Sequence, residues 1–162
     1  MDVFSMFQWL EASPLGQLAK LNDGIFVIAQ SAHLLSLALL GGTVLVTDLR
    51  LMGIILPNVS SNLIADEAHR WFKIALWVIL GSGFFQLAAV AEKCYGISFF
   101  WAKMTALLVG IIFVFAVKRP LLARNHDEIN PTTLKLVACA SIFIWFTVAA
   151  TGRWIGFSAP GL

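Results

Sequence analysis

Charge is what this sequence has least of. Charged side chains make up 12% of its 162 residues, about half the share found in soluble domains. The formal net charge of +2 is too small for a nucleic-acid partner, which needs a basic patch. Cysteine is limited to Cys94 and Cys139, with no metal-ligand spacing. The topology derived below puts them at opposite depths, so no bridge is expected between them. The chain opens Met1-Asp2; without a basic segment ahead of a short apolar run, a cleaved secretory signal is not expected. The sequence holds no Ser/His/Asp order, zinc signature, P-loop or GxGxxG, and we find no internal repeat or low-complexity tract.

What remains is apolar. Hydrophobic residues make up 59% of the chain, with 13 Phe and 6 Trp against a single Tyr. The length fits one domain. The stretch Gly24 to Pro57 is long enough to cross a bilayer, yet it carries His33 inside the run and Asp48 and Arg50 near its far end. An ionisable group inside a span is costly and so points to function by default.

Val3, Met6, Phe7 and Leu10 mark one apolar face of a short helix over residues 2–12, with Trp9 as an interfacial anchor. Ser13-Pro14 reads as an N-cap and first helical position for a second short turn to Lys20, and Asn22-Asp23-Gly24 breaks it. Residues 1–23 are expected to lie on the membrane surface, the plainer alternative being a poorly ordered tail. Spans follow at about 25–47, 69–91, 98–117 and 131–157, each long enough for a ~30 Å hydrocarbon core. The first helix is expected to run on toward Leu56. Residues 57–62 form a turn, Ser98 caps the third span, Lys118-Arg119-Pro120 ends it, and a polar loop runs from Arg124 through Asn125, His126, Asp127 and Glu128, with His126 solvated. Asn130-Pro131 opens the fourth span. The expected fold is therefore an all-α integral membrane four-helix bundle with an N-terminal amphipathic interfacial helix.

Basic residues set the orientation. Seven (Arg50, Arg70, Lys73, Lys118, Arg119, Arg124, Lys135) fall on one side and four (Lys20, Lys93, Lys103, Arg153) on the other. The first side is expected to be cytoplasmic, both termini periplasmic, and the membrane a bacterial inner membrane. Trp9, Trp101 and Trp154 then fit the outer aromatic belt and Trp71 the inner one.

At about 1.5 Å per helical residue, His33 lies about 12 Å below the outer interface, and Gln86, Lys103, Met104 and Arg153 about 6–9 Å below it. A b-type haem suits this convergence: it needs an intramembrane His and cationic partners for its propionates. His33 would bind iron, Lys103 and Arg153 would meet the propionates, and Met104 or Gln86 are candidates for the sixth position. Gly41-Gly42 and Gly81-Ser82-Gly83 would let a flat ring approach the backbone. Each feature also has a plain reading. His33 would hydrogen-bond Gln30 or Ser36, Lys103 and Arg153 would snorkel, and the glycines would be packing notches. His69 is some 20 Å down the axis from His33, too far to share one haem with it. At the other end, Asp48 with Arg50 reads as a salt-bridged helix end. The sharper alternative is an inner-side site for a quinone head group or an anionic ligand, with Asp66, Glu67, His69, Arg70, Lys73, Arg119 and Arg124 around it.

H-L-L-S-L-A-L-L-G-G-T-V-L-V-T-D-L-R-L-M-G, His33 to Gly53, and T-G-R-W-I-G-F, Thr151 to Phe157, resemble the first and last spans of a family of small, uncharacterised bacterial inner-membrane proteins. More distantly, Tyr95-Gly96, Phe100-Trp101-Ala102-Lys103 and Arg119 resemble the CopD-type copper-resistance domain. His33 with Lys103 is similar to HemJ-type protoporphyrinogen oxidases, and that resemblance implies a four-helix protein binding haem through an intramembrane His and needing a Lys. The expectation is a small haem b protein for electron transfer or for anchoring a redox complex. The alternatives are a cofactor-free accessory or scaffold subunit and a small transporter lined by Gln30, His33, Thr43 and Thr47. A homo-oligomer or larger membrane complex is expected, since four helices leave much apolar surface uncovered.

Overall fold

The computed structural model describes residues 2–56, 61–122 and 129–158. The expected turn at 57–60 and the polar residues Arg124 to Glu128 lie outside the described residues. Among the described residues all regular structure is helical: α1 (Val3–Ala12), α2 (Pro14–Leu21), α3 (Asp23–Leu51), α4 (Ser61–Ala89), α5 (Ala91–Tyr95), α6 (Ser98–Ile112), a π-helical segment (Phe113–Lys118), α7 (Arg119–Leu122) and α8 (Pro131–Ser158). Four stretches are long and apolar enough to cross a membrane: Asp23–Leu51, Asp66–Ala89, Ser98–Leu122 and Pro131–Ser158.

Local chemistry sets the helix ends. Asp2 accepts from the Val3 N–H at 2.9 Å, Ser13 Oγ from Gly16 N–H at 3.2 Å and Asn22 Oδ1 from Ile25 N–H at 3.1 Å. Asn22 therefore starts α3 as well as interrupting the chain before it. α3 stops at Leu51, short of the expected Leu56. Gly53, at φ 76°, donates to Arg50 O, and Ile54 donates to Leu49 O, both at 3.0 Å. That pair of bonds is a Schellman cap, which a left-handed glycine terminates at little steric cost. α4 begins at Ser61, two turns before the expected His69. Ser98 is the first helical residue of α6, Ile97 holds the cap position, and no side chain caps it. Lys118-Arg119-Pro120 does not end the third span: the helix widens to π geometry from Phe113 and continues to Leu122. Proline removes one N–H from the ladder, and a π register just before it absorbs the mismatch while the helix goes on.

α3 packs on α4 and α8, and α6 packs on α8. The middle of the bundle is filled by Leu40, Val44, Phe72, Ala75, Leu76, Ile79, Val114, Trp145 and Val148. Lipid tails are as apolar as leucine, so packing rather than water exclusion draws such helices together. Small residues permit the approach. A Cβ on Gly110 would lie 3.2 Å from Ile144 Cγ2 and 3.3 Å from Trp145 Cζ2. Meanwhile Leu35, Trp77, Phe143 and Phe146 are all more than 70% exposed, as the lipid-facing sides of spans must be.

α1 and α2 fold back onto the α4–α5 end of the bundle. Phe7 meets Tyr95, Phe100 and Trp101 at ring distances of 5.4–5.9 Å. Glu11 accepts from the Glu92 N–H at 2.7 Å and forms an ion pair with Lys20. At Gly16 an added Cβ would run into the Glu11 carbonyl and lie 2.8 Å from that of Ala88, so α2 sits directly on the α4 backbone.

Candidate functional site

Two polar groups of the bundle stand out, one at each end. The first is built on His33, half-buried in the third turn of α3. Its partner is Ser82 on α4, with Nδ1 3.0 Å from Oγ, not Gln30 or Ser36. Gln30 is exposed, and Ser36 donates to the His33 carbonyl. Ser82 donates its own hydroxyl proton to Val78 O at 2.6 Å. With its proton there, the hydroxyl would accept from the ring, an arrangement that suits the His33 tautomer carrying its hydrogen on Nδ1. In the neutral imidazole this leaves the lone pair on Nε2. Gly83 lets the ring sit against α4: an added Cβ would be 3.1 Å from Cε1.

Lys103 is half-buried on α6. Its Cδ, Cε and Nζ lie 3.4–3.5 Å from the position of a Cβ on Gly152. Gln86 hangs one turn beyond Ser82 and donates its amide to Ser82 O at 3.3 Å, and Met104 is half-buried beside Lys103. Arg153 turns outward, its guanidinium 5.0 Å over the ring of exposed Phe157. The structure thus sets His33 against α4 at Gly83 and Lys103 against α8 at Gly152, and holds Arg153 at the surface. Gly41, Gly42 and Gly81 face open space and are not packing notches within the chain.

This donor set can be weighed against a metal. No group of three or more His, Cys, Asp or Glu is placed to hold an ion among the described residues. A haem asks less of the protein, because the macrocycle supplies four nitrogens and the chain one or two axial ligands. His33 fits that role. A ligating His ordinarily donates its other N–H to a fixed acceptor, and the Ser82 hydroxyl is one.

The second group lies at the Lys118 end. Asp48 is fully buried (0% exposed), and its partner is Lys118, 2.6 Å away across the bundle. Lys118 Nζ also donates to Thr47 Oγ1 at 2.7 Å and to Ser141 Oγ at 3.5 Å. Beside the pair is a cavity of about 340 Å³ with walls from three spans: Thr43, Val44 and Thr47 on α3; Asp66, Ala68, His69 and Phe72 on α4; Val114, Lys118, Arg119 and Leu122 on the third span. His69 Nε2 is buried without a hydrogen-bond partner among the described residues, and its ring meets Phe115 edge-on at 5.6 Å.

The buried pair escaped the sequence reading because Lys118 was read as part of the stop of the third span and Asp48 as the partner of Arg50. The available signal was Asp48 itself: a carboxylate in the run Val44-Leu45-Val46-Thr47-Asp48-Leu49 requires a cation at its own depth.

Four apolar spans and a polar group within each half define the protein as a multi-pass membrane helical bundle. Its residues 6–158 match a family of unknown function, DUF6644, and the chain belongs to that family. No curated protein and no solved structure matches it.

Proposed function

We propose that the protein is a small redox protein of the bacterial inner membrane that holds haem b on His33. The observation behind this reading is the His33 Nδ1 contact with the Ser82 hydroxyl at 3.0 Å; a proton donated there would leave Nε2 to ligate iron. Bound there, haem b supplies a one-electron couple. The chain's own contributions are distinct. Ser82 fixes the tautomer and orientation of His33, Gly83 makes room for the ring, and Lys103 is the cation available to a propionate. Gln86 and Met104 are the candidates for a second axial position. Arg153, stacked on Phe157, is left out of the propionate role. The reading takes both termini as periplasmic, which would put His33 in the outer half.

The test is a reduced-minus-oxidised visible spectrum of protein purified from cells supplied with haem, wild type beside His33→Ala. A Soret band with sharp α and β bands, absent from the variant, is expected. A colourless wild type, or a spectrum unchanged in the variant, removes the reading.

A second reading is a cofactor-free accessory subunit. It is favoured by Gly41, Gly42 and Gly81, small residues that face open space and would let a partner helix approach closely. It expects His33→Ala to change assembly without removing any chromophore.

A further inference from the structure

The cavity at the Lys118 end plays no part in the haem reading. Its floor is buried and mostly apolar: Val44, Phe72 and Val114, with Thr47 and Lys118 among them. Asp66 and Arg119 are exposed at its mouth. At about 340 Å³ it falls at the small end of ligand sites, enough for one substituted ring. The wall between α4 and the third span is closed by side chains, Phe72 and His69 meeting Phe115 at 6.5 and 5.6 Å.

The charges decide what kind of molecule. Two cations, Lys118 and Arg119, line the cavity. Asp66 lines it as well, and Asp48 pairs with Lys118. Two positive groups against two negative ones leave nothing to attract an anion, and burial would penalise one. The lining nevertheless mixes hydrogen-bonding capacity of both kinds. Arg119 donates. The hydroxyls of Thr43 and Thr47 give their protons to the carbonyls of Leu40 and Thr43, so toward the cavity they only accept. His69 can do either; its Nε2, enclosed in the wall, has no hydrogen-bond partner among the described residues.

We propose that this cavity binds the head group of a quinone or quinol. Such a ring is neutral in both oxidation states, dissolves in the bilayer, and carries oxygens that accept hydrogen bonds when oxidised and donate them when reduced. Phe72 offers it a flat wall. The proposal rests on the Lys118 end alone and does not need a haem at His33.

The probe is a short-tailed ubiquinone analogue and its azido photolabelling derivative, applied to the full-length protein in nanodiscs. Saturable labelling is expected on peptides from α4 and the third span, displaced by excess unlabelled analogue and unchanged in His33→Ala. Ala68→Phe, which fills the cavity, is expected to weaken binding at least tenfold. His69→Leu, which removes a hydrogen-bonding ring, is expected to weaken it about fivefold to tenfold. Labelling that never saturates, that maps to other helices, or that is equal in Ala68→Phe overturns the proposal. Displacement by inorganic phosphate overturns it too, because the site would then be an anion site. The wild-type labelling map stands even if a variant fails to fold, and a colourless protein leaves it untouched.

Discussion

Substituting Lys118 should be the most damaging single change in the bundle. Lys118→Met keeps the length of the side chain and removes its charge. Asp48 is 0% exposed, and its nearest cation is the Lys118 ammonium at 2.6 Å. Removing one member of a buried ion pair leaves the other uncompensated, at a cost of about 3–5 kcal/mol. In a protein of this size about 1 kcal/mol moves the melting temperature by about 2–4 °C, so the loss should be about 6–20 °C. Asp48→Asn should fall short of that, because the stranded lysine keeps Thr47 and Ser141 as acceptors. The double variant Asp48→Leu/Lys118→Met should recover most of the loss, since apolar replacement of a whole buried pair is often neutral. Thermal melting of the detergent-solubilised protein, followed by circular dichroism or by loss of a monodisperse elution peak, reads all three. If Lys118→Met melts within about 2 °C of wild type, or if the two single losses simply add in the double variant, the pair is not the buried, coupled unit described above.

Three further outcomes can be checked with modest effort. Gly16→Val should drive α2 off α4, because the new side chain meets the carbonyls of Glu11 and Ala88; limited proteolysis should then cut residues 3–21 while the spans stay intact. Acid should loosen the same segment. Burial works against the Glu11 carboxylate, but Lys20 and the Glu92 N–H outweigh it and hold the group below the usual carboxylate range. A depressed folded value means its contribution to docking is complete above the ordinary carboxylate value and is lost as pH falls through the depressed one. Hydrogen exchange in α1 and α2 should therefore rise in that acid window, and should not do so in Glu11→Gln. Burial pushes the Cys94 thiol up, so Cys94 should resist maleimide at mildly alkaline pH in the folded protein and react after denaturation in SDS.

The four spans were legible because an uninterrupted apolar run of about 20 residues admits few other readings. Ser13-Pro14 and Asn130-Pro131 were legible as helix starts because their chemistry is local, and Asn130 does accept from the Thr132 N–H at 2.9 Å. What was hidden depends on register between helices. Counting residues put His33 and Lys103 at similar depth, but depth says nothing of rotation, and rotation makes Ser82 rather than Gln30 the partner of His33. It also turns Arg153 outward to Phe157. The π segment was invisible for a related reason: Lys-Arg-Pro looks like a stop signal. Only the pull of buried Asp48 explains why Lys118 remains inside a helix that continues past it.

The most direct measurement is haem content per chain in purified wild-type, His33→Ala, Lys103→Met and Arg153→Met protein, by the pyridine haemochrome assay. Stoichiometric haem in wild type and in Arg153→Met, none in His33→Ala and a reduced amount in Lys103→Met is the expected pattern. A wild type without haem, or haem retained in full by His33→Ala, would contradict it.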